Sequence, residues 1–197
     1  MLWNSIPGQL AKENRKFIYG LIKEGARAKE YELTMLWLTD CGPVHKVHRV
    51  SAPKLPLKAY EDLKAFKLFL ADVGLLSCMV GLRQDVLLDG NELFKEFKGA
   101  LTEQYVLQQL KTIKGLNIYY WTADRGTAEV DFVVDIGSDV IPVEVKAERN
   151  LQAKSLKGYR GKFGPRVAVR ASMADHKRED RLLDLPLWAV ETVGEEG

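Results

Sequence analysis

Two runs of residues with high β propensity, separated by a short turn, form the clearest hydrophobic pattern in the chain. They extend over Thr127–Asp135 and Val140–Ala147, and both are rich in β-branched side chains. Residues 136–139 between them include a glycine and an aspartate, which favour a tight turn. The pattern therefore predicts a β-hairpin.

One face of this hairpin is polar. Side chains alternate between the two faces of a strand, so Glu144 and Lys146 share one face while Val143 and Val145 point to the other. On the partner strand, Asp131 likewise lies on the face opposite to its apolar neighbours. Two acids and a lysine can thus converge on one side of an otherwise apolar hairpin.

The rest of the pattern alternates helices with strands. The sequence predicts helices at 5–14 (with Ser5 as the N-terminal cap), 28–40, 91–111 and 152–163, and strands at 44–50, 65–72, 118–121, 166–170 and 185–191. Residues 17–22 fit a strand or a short helix, and residues 175–184 are charged enough to be mostly surface. From residue 91 the order is helix, three strands, helix and strand, which implies a mixed α/β sheet with helices packed on it.

A proline-containing break at Pro53 and Pro56 predicts the first domain boundary. Before it, short helices are followed by the helix at 28–40, whose apolar stripe contains Met35, Leu36 and Leu38 and is widened by Trp37, and then by a strand. This order suggests a winged-helix-like segment at residues 1–56 that could touch DNA, although a packing or linker subdomain explains the same pattern. The main domain is expected at residues 57–197.

Composition and charge restrict the classes of partner. The 46% of hydrophobic residues supports a substantial core, and the net charge of +2 decides little. Basic residues are nevertheless concentrated between 146 and 170, where they could meet a polyanion or form a solvated face. The two cysteines form no CxxC pair, and no signal peptide or transmembrane run is recognised, so we expect a cytoplasmic protein without a membrane partner.

The acids Glu103, Asp131 and Glu144, together with Lys146, suggest metal chemistry. Converging carboxylates suit Mg²⁺ or Mn²⁺, and such an ion lowers the pKa of bound water and stabilises charge on a phosphoryl oxygen. A lysine two residues after a ligand can orient or activate that water. The alternative is an ordinary ion pair between Glu144 and Lys146, with Asp131 as an acid at the strand edge. Glu103 lies near the apolar side of its predicted helix and needs a partner if buried.

The spacing of these residues resembles the PD-(D/E)xK motif of the restriction-endonuclease-like nucleases. Asp131 matches the first acid, Glu144 the second and Lys146 the lysine, while Val130 stands where the motif has proline. Glu103 matches a further acid that this superfamily often carries on the preceding helix. The resemblance implies a restriction-endonuclease-like core, metal binding by Asp131, Glu144 and Glu103, and Mg²⁺- or Mn²⁺-dependent hydrolysis of DNA phosphodiesters.

Longer segments resemble the uncharacterised domain that follows the ATPase module in predicted bacterial and archaeal AAA-type ATPases. They are Ile6-Pro-Gly-Gln-Leu-Ala, Leu55-Pro-Leu-Lys-Ala-Tyr, Phe66-Lys-Leu-Phe-Leu-Ala-Asp-Val-Gly-Leu-Leu, Gly99-Ala-Leu-Thr-Glu-Gln-Tyr-Val and Glu129-Val-Asp-Phe-Val-Val. No phosphate-binding G-x-x-x-x-G-K-[ST] loop occurs, so the sequence predicts no ATP site. The chain resembles the C-terminal part of that architecture, either as a stand-alone gene or as a fragment. The resemblance implies an ATPase module or another protein as partner.

Two further groups of residues bear on function. Lys154, Lys157 and Arg160 on the predicted helix after the hairpin could grip phosphates, or they could form a solvated helix face. Cys41, His45 and His48 lack a fourth ligand and have poor spacing for zinc.

From the hairpin acids, the lysine and the two resemblances, we expect a Mg²⁺-dependent nuclease-like module that acts on DNA. The alternative is a non-catalytic regulatory domain of an ATPase that binds nucleic acid or protein.

Overall fold

The computed structural model describes residues 1–11, 16–82, 92–123, 128–147 and 153–194, with only the helical backbone described for 92–96. The helices are α1 (Leu2–Leu10), α2 (Ala28–Asp40), α3 (Val73–Met79), α4 (Glu92–Leu110) and α5 (Lys154–Phe163). The strands are β1 (Val44–Val50), β2 (Glu61–Leu70), β3 (Asn117–Thr122), β4 (Glu129–Ile136), β5 (Asp139–Val145), β6 (Ala168–Ser172), β7 (Lys177–Glu179) and β8 (Leu182–Pro186). Short 3-10 helices cover Tyr19–Leu21, Leu57–Tyr60 and Leu187–Gly194.

The strands of the described residues form one eight-stranded mixed sheet in the order β2-β1-β3-β4-β5-β6-β8-β7. The pairs β1–β3, β5–β6 and β6–β8 are parallel, whereas β3–β4, β4–β5 and β7–β8 are antiparallel. The mixed α/β class predicted from the sequence is therefore confirmed. No helix within the described ranges is long and apolar enough to cross a membrane.

Most predicted elements are present, but the strand predicted at 185–191 is wrong, because β8 ends at Pro186 and Leu187–Gly194 is a 3-10 helix. Both α2 and β1 have the predicted bounds, and β4 and β5 form the predicted hairpin. The predicted cap at Ser5 is wrong, because α1 begins at Leu2 and the Ser5 hydroxyl donates to the Leu2 carbonyl inside the helix, 2.7 Å away. The predicted end of this helix at residue 14, the hairpin residue Thr127 and the start of the predicted helix at Gln152 lie outside the described residues.

The chain divides into two compact units. The first contains Met1–Val47 and Ala65–Tyr105, and the second contains His48–Lys64 and Val106–Gly197. A domain boundary after residue 56 and a winged-helix-like N-terminal segment stay predictions.

The first unit is tied together by its part of β2. The rings of Phe66 and Phe17 stack with centroids 5.5 Å apart, and the Phe17 amide donates to the Phe66 carbonyl. At the end of the strand, the side-chain amide of Gln104 bonds both backbone groups of Leu70, at 2.9 and 2.7 Å. A fully buried amide with both of its groups bonded adds specificity to an apolar core.

The second unit has its own apolar core, in which α5 packs on β4 and β5. Trp121 of β3 lies edge-on to Tyr159 and Phe163 of α5, with ring centroids 5.3 and 5.4 Å away. The core cluster contains Val50, Leu57, Tyr119, Trp121, Val130, Val133 and Tyr159. Helix α5 ends at Gly164, whose φ of 57° is left-handed and suits glycine. This packing holds the basic helix beside the hairpin.

Candidate active site at the hairpin

The candidate site lies where β4 and β5 stop pairing. The last cross-strand pair that joins them at this end is Phe132 with Val143, so Asp131 and Glu144 are the next neighbours. Instead of a backbone carbonyl, the Oδ2 atom of Asp131 accepts the Val145 amide at 2.8 Å. The Asp131 side chain is therefore the β4 group that bonds the Val145 amide beyond the last cross-strand pair.

Glu144 is the buried member of the site. Only 5% of its surface is exposed, and its Oε1 atom accepts a hydrogen bond from the Lys146 ammonium at 2.7 Å. Its Oε2 atom is buried and has no hydrogen-bond partner within the described ranges. Burial, and then the negative charge of Asp131, raise the pKa of Glu144 to about 7, although Lys146 opposes this rise. A carboxylate in this state would be stabilised by an added cation.

Lys146 connects the buried carboxylate to solvent. Its side chain is 29% exposed, and its backbone amide, one residue beyond the end of β5, donates to the Ala171 carbonyl of β6 at 2.8 Å. The Lys146 side chain is thus partly exposed to solvent while its backbone is fixed by the sheet. The structure brings Asp131, Glu144 and Lys146 together.

Glu103 lies in the first compact unit, on α4. It is buried, and its Oε2 atom is 4.0 Å from the ammonium of Lys67, which is also fully buried. The predicted need for a partner is therefore met by Lys67 within the same unit. A role of Glu103 in metal binding stays a prediction.

The residues of the hairpin fit a divalent cation through two side chains. Asp131 and Glu144 offer hard oxygen atoms, including the buried Oε2 of Glu144, and such atoms suit Mg²⁺ or Mn²⁺. No group of three or more His, Cys, Asp or Glu residues in the described part of the chain is arranged to hold a metal. Cys41, His45 and His48 are within that part of the chain and are not arranged to hold a metal. Further ligands at the hairpin would have to be backbone oxygen atoms, water or substrate.

Two site neighbours were not recognised in the sequence, Arg170 on β6 and Asp184 on β8. Glu144 lies opposite Arg170, and Arg170 lies opposite Asp184, so the three side chains share one face of the sheet. The guanidinium donates twice to the Asp184 carboxylate, at 2.7 and 2.8 Å. In the sequence, this pair is indicated by a single charged residue within each of two otherwise apolar strands. The stretch 175–184, predicted to be mostly surface, is exposed from Asp175 to Arg181, whereas Asp184 at its end is buried because it pairs with Arg170.

The cationic surface is concentrated on α5. Lys154 and Lys157 are exposed and Arg160 is half-buried, whereas Arg170 is bound to Asp184 and the Arg166 guanidinium lies 3.2 Å from the Asp139 carboxylate. The basic run of the sequence is thus partly neutralised by ion pairs. The start of α5 is held to β4, since the Ser155 hydroxyl accepts the Glu129 amide at 3.4 Å.

Two family models match the chain in separate regions. Residues 98–190 match the family described as "Domain of unknown function (DUF4143)". Residues 1–86 match the family described as "Domain of unknown function (DUF8612)". No curated protein and no solved structure matches the chain. The region similar to DUF4143 contains all the members of the hairpin site.

Proposed function

We propose that the second unit is a metal-dependent nuclease module with a restriction-endonuclease-like core, which hydrolyses DNA phosphodiesters. The observation that carries the proposal is Glu144, a buried carboxylate that lies beside Asp131 and Lys146 and has one oxygen atom without a hydrogen-bond partner among the described residues. Such a carboxylate is costly to bury, and a bound cation would offset that cost.

Asp131 and Glu144 would hold Mg²⁺ or Mn²⁺. When bound, the ion would polarise a phosphoryl oxygen and lower the pKa of a water molecule. The protein's own groups position the side chains of the site. The Val145 amide fixes Asp131, and the Glu144 carboxylate fixes the Lys146 ammonium.

Lys146 would orient the attacking water or bind a phosphate oxygen, because its side chain is partly exposed to solvent. Lys154, Lys157 and Arg160 would contact the phosphate backbone from α5, which packs on the same hairpin. These contacts are electrostatic, so DNA binding should weaken steeply as the salt concentration rises.

A non-catalytic role is the second candidate. Two observations favour it. The described part of the chain offers no group of three metal-binding side chains, and the Lys146 ammonium is closely paired with the Glu144 carboxylate. In this case the site would be a structural ion pair, and α5 would serve DNA or protein binding in a partner of an AAA-type ATPase.

The test is cleavage of supercoiled, linear and branched DNA with Mg²⁺ or Mn²⁺ by the wild type, Asp131→Asn and Lys146→Met. We expect metal-dependent cleavage by the wild type and at least about a hundredfold slower cleavage by both variants, as for loss of a group that stabilises the transition state. The control is Asp139→Asn at the start of β5, at the end of the hairpin opposite to Asp131 and Glu144, which should cleave normally.

Metal binding is measured separately from cleavage, by calorimetric titration of Mg²⁺ or Mn²⁺ into the wild type and Glu144→Gln. Binding by the wild type alone, without cleavage of any DNA, would support the metal site and leave the non-catalytic role. Equal cleavage by all the variants, or cleavage that persists in a chelator, would refute the nuclease proposal.

A further inference from the structure

Helix α2 carries apolar side chains on two opposite faces. Met35 and Leu38 are buried in the first unit. On the other side, the exposed fractions of Leu33, Leu36 and Trp37 are 81%, 54% and 63%. A surface helix needs only one apolar face to pack on its own domain. The second apolar face therefore fits a partner that packs against it.

The two ends of this exposed face carry opposite charges. Lys29, Leu33, Leu36 and Asp40 are separated by four, three and four residues, which places them along one stripe of a helix. Lys29 lies in the first turn of α2, and Asp40 is its last residue. Both charges are exposed, so the stripe has a cationic end, an apolar centre and an anionic end.

These charges have the unfavourable sign for their own helix. The N-terminal end of a helix has a positive partial charge and the C-terminal end a negative one, so a lysine in the first turn and an aspartate at the last residue are each mildly destabilising. An antiparallel neighbouring helix would offset this unfavourable interaction. Each charge would then lie beside the end of the neighbour that favours it.

The pattern is complementary to itself in the antiparallel sense. A two-fold rotation that brings Lys29 opposite Asp40 of a second copy also brings Leu33 opposite Leu36. We propose that α2 is the interface of a homodimer in which two copies of the chain pack through this stripe in antiparallel orientation. Such an interface is isologous, since the same patch serves both subunits.

The interface would be small. Tyr31 lies four and seven residues before Met35 and Leu38, so its contact with Tyr19, with ring centroids 6.1 Å apart, belongs to the face of α2 that packs in the first unit. One helix face is at the small end of specific interfaces, so the dimer should dissociate on dilution.

The test is a charge exchange followed by sedimentation velocity of the full chain over about 1–100 µM, a range in which weak dimers dissociate. Lys29→Glu alone and Asp40→Lys alone each create two like-charge contacts in the antiparallel dimer. We expect each to weaken dimerisation at least about tenfold. The double variant Lys29→Glu/Asp40→Lys should restore it, because both contacts are again between opposite charges.

Two controls make the result specific. Lys54→Glu changes the same charge at an exposed position outside α2 and should dimerise like the wild type. Leu33→Glu should abolish the dimer, while circular dichroism and thermal melting should show a folded chain.

A wild type that is monomeric throughout the concentration range would refute the proposal and leave the stripe to a different protein. A dimer in which the double variant is no better than the single variants would refute the antiparallel arrangement. Neither result depends on nuclease activity.

Discussion

Replacing Glu144 by glutamine is expected to remove a pH dependence that this buried carboxyl group imposes on stability. Burial and Asp131 raise its pKa from the ordinary value of 4.5 to about 7. Between these two values the folded protein holds a proton that the unfolded chain has released. The free energy of unfolding therefore falls as the pH rises through this window, and the loss is complete above the folded pKa.

The size of the effect follows from the shift in pKa. Each pKa unit corresponds to about 1.36 kcal/mol, so the ionised Glu144 carboxylate costs roughly 3 kcal/mol at about pH 8 and less than about 1 kcal/mol at about pH 5. Glutamine avoids this cost, and its side-chain oxygen can still accept the hydrogen bond from Lys146. The variant should be more stable than the wild type at the higher pH and nearly equal to it at the lower pH.

The measurement is chemical unfolding of both proteins at several pH values in a chelator, so that no metal ion contributes. The difference between the two free energies of unfolding is the informative quantity, because every other ionisable group is the same in both proteins and its contribution cancels. A difference that does not change with pH would refute the reasoning. So would a variant that is less stable than the wild type at every pH.

Two further predictions concern the second unit. Arg170→Met should cost about 3–5 kcal/mol, because it leaves Asp184 as an uncompensated buried charge, whereas adding Asp184→Leu should recover most of the loss in urea unfolding. If Arg170→Met were as stable as the double variant, the unpaired charge of Asp184 would not be the cause of the loss in stability. Gly164→Ala should cost about 1 kcal/mol, because φ at this position is 57°, while Gly161→Ala inside α5 should stabilise by up to about 1 kcal/mol in thermal melts. Equal changes in stability at the two glycines would show that the left-handed φ of Gly164 is not the cause of its loss.

Local patterns predicted the elements well where a single rule was sufficient. Helix α2 ends before Gly42 and Pro43, whose backbone preferences stop a helix whatever it packs on. The hairpin of β4 and β5 follows from β-branched runs around a glycine-containing turn. The shared face of Glu144 and Lys146 follows from the period of two along a strand, and the 2.7 Å hydrogen bond between them agrees with it.

Long-range pairing explains what the sequence could not predict. Arg170 and Asp184 meet only because β6 and β8 are neighbouring parallel strands in one register, and nothing local in either strand specifies that register. The same is true of Glu103 and Lys67, which lie on α4 and β2. Such pairs depend on tertiary contacts, which override local preference.

The apolar stripe of α2 was predicted as one surface, but the structure divides it. Met35 and Leu38 are buried, while Leu36 and Trp37 are exposed. Hydropathy alone does not distinguish the face that packs on the domain from the face that remains outside. The exposed fraction of each side chain provides that distinction, and it is the basis of the dimer proposed above.

The aromatic contacts of α5 have an optical consequence. Trp121 is 4% exposed, packs on Tyr159 and Phe163, and has the ammonium of Lys162 5.7 Å from its ring centroid. Its fluorescence should therefore respond to a displacement of α5 or to neutralisation of its charges. Iodide quenches exposed indoles such as Trp37 selectively, so the emission that survives the quencher would report when a polyanion binds along this helix.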